Sequence, residues 1–124
     1  MLDQLLEVLR PRHEGGDRFT GTNMHPEGFR VYGGQVLAQA VSAAIATVDE
    51  DTLLHSQHAY FLRPGDVTLP IQLEVERARD GTSFRSRRVV ATQRGKPICV
   101  SGLSFQQAST GDDYQPEMPS GLPQ

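Results

Sequence analysis

Between Gln35 and Val48 ten of fourteen residues are apolar, and they fall on every side of a helical wheel: Val36, Leu37, Ala38, Ala40, Val41, Ala43, Ala44, Ile45, Ala46 and Val48. A helix that is apolar all round is buried all round, so the rest of the chain must wrap about that one rod. Half of those residues are alanines, whose small side chains let a neighbouring layer come close. From Leu53 onward the hydrophobic period drops to two, the signature of strands. The pattern predicts strands over 53–63, 69–79, 82–93 and 97–106 joined by short turns. Leu2, Leu5, Leu6 and Leu9 predict a short opening helix, Arg10 to Gly16 breaks it, and a short strand is expected at about 17–21. The implied architecture is α+β: an antiparallel sheet wrapped around one long buried central helix.

The turns suggest a register. Asp80-Gly81 is a strong two-residue hairpin signal. With those two residues as the turn, Glu76 faces Arg85 and Glu74 faces Arg87, opposite charges on one solvated face of the sheet. Arg94-Gly95 predicts the next hairpin, with Val90 opposite Cys99. After Gln107 the sequence turns polar and rich in proline, so residues 1–107 read as a single domain and 108–124 as a tail or interdomain linker.

Composition excludes several function classes. Twelve Lys and Arg against fifteen Asp and Glu, with the basic residues scattered, predict no nucleic-acid surface. The single cysteine, Cys99, rules out an internal disulfide, fits a reducing cytoplasm, and lies in a strand pattern where it reads as a small buried hydrophobe. No segment is long and apolar enough for a membrane span, and Met1 to Leu6 lacks the basic start of a secretory signal. His13 and His25 fall in segments that read as irregular, and no His/Cys/Asp set has metal-like spacing. No metal or cofactor is expected.

The densest chemistry lies in His55-Ser56-Gln57-His58-Ala59-Tyr60-Phe61-Leu62-Arg63-Pro64-Gly65-Asp66. Regular alternation puts His55, Gln57, Ala59 and Phe61 on one face and Ser56, His58, Tyr60 and Leu62 on the other, so the two histidines are not expected to share a site. His55 is a candidate to orient water or hydrogen-bond an acyl group, since imidazole titrates near neutrality. Gln106, closing the last strand, can hold water by accepting one hydrogen bond and donating another. Gly33, Gly34 and Gln35 open the central helix, whose free amides favour a developing negative charge, and no acidic residue lies nearby to occupy them. There is no Gly-x-Ser-x-Gly elbow, and Ser56, Ser83, Ser86, Ser101 and Ser104 read as ordinary strand residues.

Together with Gly33-Gly34-Gln35-Val36-Leu37-Ala38-Gln39-Ala40 and Arg79-Asp80-Gly81-Thr82-Ser83-Phe84, the histidine strand resembles the N-terminal half of the acyl-CoA thioesterase II (TesB-like) family over roughly residues 5 to 107. That resemblance implies the hotdog fold and hydrolysis of fatty acyl-CoA to fatty acid and CoA, in fatty acid metabolism, without metal or bound cofactor. Members of the family carry two tandem hotdogs, and their catalytic aspartate, serine or threonine, and glutamine lie mainly in the C-terminal one, which this chain does not contain. Matched across the internal duplication, Gln106 stands where the catalytic glutamine does and His55 near the hydroxyl residue. The aspartate has no counterpart, because Gln35 to Thr47 contains no acid. The expected partners are an acyl-CoA substrate and either a C-terminal hotdog or a second copy in a homodimer. The alternative is a non-catalytic acyl-CoA-binding or scaffolding hotdog module. Hydratase-type hotdog chemistry is disfavoured, since its histidine needs an acidic partner.

Overall fold

The computed structural model describes residues 1–121, which form α1 (Leu2–Val8), β1 (Arg12–Gly15), β2 (Arg18–Gly21), α2 (Gly33–Ile45), β3 (Thr52–Phe61), β4 (Ile71–Asp80), β5 (Phe84–Gln93) and β6 (Lys96–Gln107). The strands pair antiparallel in one sheet of order β1-β2-β4-β5-β6-β3, curled about α2. One strand lies outside the expectation: His13 sits in β1 rather than in an irregular segment, paired with Phe19 of β2. The inner face of the sheet carries Ile71, Leu73, Val75, Val89, Ala91, Cys99, Leu103 and Phe105, packed on Val36, Ala40, Ala43 and Ala44 of α2. The alanines lie at this contact, and each large side chain buried there contributes roughly 1.5–3 kcal/mol.

The central helix is not covered all round. Ile45 is 51% exposed and Ala46 is exposed, while Leu37, Ala38 and Val41 are half-buried. A single sheet curls around one side of a helix. On another side Gln39 is fully buried, and its Nε2 donates to Val8 O and Thr22 O, tying α1 and the β2 exit to α2. The helix also ends earlier than the predicted Val48, because Arg87 donates from Nη2 to Thr47 O and from Nε to Thr47 Oγ1 and so closes its carboxyl end.

That arginine overturns the predicted hairpin register. Asp80 pairs with Arg85, Arg77 with Arg87 and Glu76 with Arg88, after a bulge between Arg77 and Arg79, so the tip lies at Thr82-Ser83 instead of Asp80-Gly81. The shift turns Arg87 to the inner face. It is 2% exposed and donates to Asp80 Oδ1 at 2.7 Å, rather than lying on a solvated face. At the next hairpin Gln93 does pair with Lys96 across Arg94-Gly95, both with positive φ (50° and 73°) as a tight primed turn requires. A bulge between Ala91 and Thr92 then advances the register by one, and Val90 faces Val100 instead of Cys99. Residues 108–119 are exposed and form no helix or strand, and of the expected tail 122–124 lie outside the described residues.

Candidate functional site

Two constellations carry the chemistry-bearing residues, at opposite ends of β3. The first is a groove of about 410 Å³ at the amino end of α2. Its walls are Val31, Val36, Phe61 and Ile98, with Cys99 at its base and Arg30 and Arg63 on the rim. Gln35 and Val36 turn their N–H groups back to Tyr32 O, whereas those of Gly33 and Gly34 have no partner among the described residues. No side chain caps the helix and no acid lies in its first turn. The amide dipoles and the two guanidinium groups therefore present positive potential beside an apolar slot, which suits an amphiphilic anion.

The three residues expected to meet substrate here have different surroundings. Gly33 lines the groove, and a Cβ on it would sit 3.0 Å from the ring of Phe61. Gly34 lies beneath Tyr32, whose ring would be 2.5 Å from an added Cβ. Gln35 points away from the groove. Its Nε2 donates to Asn23 Oδ1 at 2.9 Å and its Oε1 accepts from Met24 N, pinning the loop after β2. Cys99 is buried, as the sequence pattern suggests, and desolvation pushes its thiol pKa up.

The second constellation lies on the outer face of the sheet, away from α2. Leu54 pairs with Phe105 and Ser56 with Ser104, so His55 is the extra residue of a bulge. Half-buried Leu54 packs on the core, and Gln57 donates to Leu37 O and Ser101 Oγ on the inner side. The bulge breaks the predicted alternation and turns His55 to the outer face, the same face as His58. There His55 Nε2 lies 2.7 Å from Ser104 Oγ, and its ring packs edge-on against Phe84 at 6.0 Å. Gln106 is two residues beyond Ser104 on that face and pairs with both Phe84 and Leu53. His55 and Gln106 are thus neighbours. Ser104 joins them, and neither a motif nor the alternation singled it out because the bulge has no sequence mark.

The groove and the His55–Gln106 pair do not meet within one chain. Phe61 lies six positions beyond His55 along β3, about 20 Å at the rise of an extended strand, and the two positions face opposite sides of the sheet. Among the described residues, no group of three or more His, Cys, Asp or Glu is gathered as metal ligands would be.

The chain matches the family model described as the acyl-CoA thioesterase N-terminal domain over residues 21–106. It is 44% identical over 116 residues to acyl-coenzyme A thioesterase 8 of Homo sapiens, covering 93% of this chain and 36% of that protein. It is 48% identical over 99 residues to acyl-CoA thioesterase 2 of Haemophilus influenzae, covering 78% of this chain and 35% of the relative. The chain therefore spans about a third of the curated relatives it matches. Its fold superposes on the acyl-CoA thioesterase II TesB2 of Mycobacterium marinum with a TM-score of 0.84 at 39% identity, over 96% of this chain and 44% of that one. A hot dog fold protein from Alicyclobacillus acidocaldarius, at TM-score 0.79 and 18% identity over 96% of this chain and 46% of that one, shares the fold.

Proposed function

We propose, from the premise that this chain belongs to the acyl-CoA thioesterase N-terminal domain family, that it is one hotdog half of an enzyme hydrolysing fatty acyl-CoA to fatty acid and CoA in the cytoplasm. The observation that carries the reading is the groove at the head of α2: apolar walls for an acyl chain, and free amides with Arg30 and Arg63 for the anionic carrier. At the His55–Gln106 pair, the Gln106 amide holds the water, and neutral imidazole takes its proton as it attacks the thioester carbonyl. The same imidazole returns the proton to the departing thiolate.

A second hotdog is part of this reading. β3 is the sheet's edge and offers its free side over ten residues. Half-buried Leu54 and Ala59 and exposed Phe61 lie along it, beside the partly bare flank of α2. A long edge with apolar neighbours pairs with another strand or aggregates. A C-terminal hotdog or a second copy seated there completes the site; residues 108–124 serve as the linker in the first case.

One observation favours a second reading. The groove and the His55–Gln106 pair lie on opposite faces, and no acid stands between Gln35 and Thr47. A module that binds acyl-CoA, or that only scaffolds a partner, needs neither. Thiol release from medium- and long-chain acyl-CoA decides between them, measured on the chain alone and with a C-terminal hotdog added. The enzyme reading expects hydrolysis that falls at least a hundredfold in His55→Ala and Gln106→Ala. Saturable binding without thiol release in either setting supports the module instead, and hydrolysis untouched by both substitutions sinks the residue assignment.

A further inference from the structure

Resting on the reading of His55 as a base, we propose that Ser104 is its positioning residue, holding Nε2 so that Nδ1 is the nitrogen that takes the proton. Three observations support this. The bulge at His55 leaves its ring on the outer face without a place in regular alternation, so its direction is set by neighbours rather than by the pleat. Ser104 Oγ takes Nε2 at 2.7 Å, and Phe84 packs edge-on against the ring at 6.0 Å. The imidazole is thereby held from two adjacent strands, and Nδ1 has no hydrogen-bond partner among the described residues.

A histidine base needs a defined tautomer, which in the best-known triads is fixed by a carboxylate on the nitrogen that does no chemistry. Here no carboxylate reaches the ring among the described hydrogen bonds, and the serine hydroxyl stands in that place, 2.7 Å from Nε2. Nε2–H donates to Ser104 Oγ, and the lone pair of Nδ1 is left free. A hydroxyl orients the ring without adding the negative charge that would stabilise an imidazolium. The arrangement therefore supplies geometry and tautomer, and Gln106 shares the face on which Nδ1 must act.

The test uses the whole chain and two readouts. Long-range proton–nitrogen NMR on the neutral protein should show His55 as a single Nε2–H tautomer. Ser104→Ala should mix the two tautomers, and Ser104→Thr, which keeps the hydroxyl and suits a strand, should restore one. A wild-type Nδ1–H tautomer, or a spectrum unchanged in Ser104→Ala, overturns the proposal whether or not the chain turns over. In the thiol-release assay Ser104→Ala should lower kcat roughly tenfold with KM unchanged and move the acid limb of the pH profile, with Ser104→Thr near wild type. Loss in His55→Ala with full activity and an unmoved profile in Ser104→Ala defeats the positioning role alone. Full activity in His55→Ala defeats the underlying assignment of the base instead.

Discussion

Asp17 meets Arg77 through two hydrogen bonds, 2.8 and 3.1 Å long, across the β2–β4 side of the sheet. The Arg77 guanidinium holds the Asp17 carboxyl below its ordinary value despite partial desolvation. A carboxylate whose pKa is depressed on folding stabilises the native state above its ordinary pKa near 4 and loses that contribution as pH falls through the folded value. Asp17→Asn should therefore lower the urea midpoint more at pH 7 than at pH 2–3, shrinking the gap between the two pH values. An equal loss at both would show that the carboxylate charge plays no part. At this scale sequence was an uneven guide. Alternating Cys99, Ser101, Leu103 and Phe105 on the inner face put Ser104 and Gln106 outside, so the face of Gln106 was legible. His55 was not, because one inserted residue reverses its face and leaves no compositional trace.

The hairpin of β4 and β5 shows how an element can keep its place while its register moves. Asp80-Gly81 marks a turn by propensity, yet Asp80 is drawn into the strand to meet Arg87, and the tip shifts to Thr82-Ser83. The deciding term is tertiary: Arg87 bonds Thr47 Oγ1, Thr47 O and Arg79 O as well, closing the carboxyl end of α2 where the helix dipole favours a cation. Period-two patterning finds strands because it reports burial on one face. It cannot see a buried arginine that crosses to a helix end. Arg87→Met keeps the apolar stem but leaves the Thr47 carbonyl without this donor and Asp80 without its closest partner. The expected loss is about 2–4 kcal/mol, read as a lower urea midpoint at unchanged slope. A midpoint within error of wild type would show that water replaces these bonds at no cost.

Across the whole molecule, the helix that the sequence marks as apolar on every side packs its buried face on the sheet and keeps Leu37, Ala38 and Val41 only half-buried, beside β3, whose Gln57 bonds Leu37 O. The hotdog curl was legible from one apolar helix followed by a period-two run, together with the family motifs. Which parts of the chain would meet in a site was not, since that depends on strand order and on faces rather than on proximity along the sequence. The structure separates an amphiphile-sized groove at one end of β3 from a histidine–serine–glutamine cluster at the other. The central claim is that the groove receives acyl-CoA, and titration calorimetry with a non-hydrolysable acyl-CoA thioether tests it most directly. Wild-type chain should bind saturably with one site per chain, more weakly at high salt. Gly33→Val, whose side chain would crowd the Phe61 ring in the groove wall, should lose at least tenfold in affinity while keeping its circular dichroism spectrum. Absence of saturable binding, or equal affinity in a folded Gly33→Val, would contradict the account.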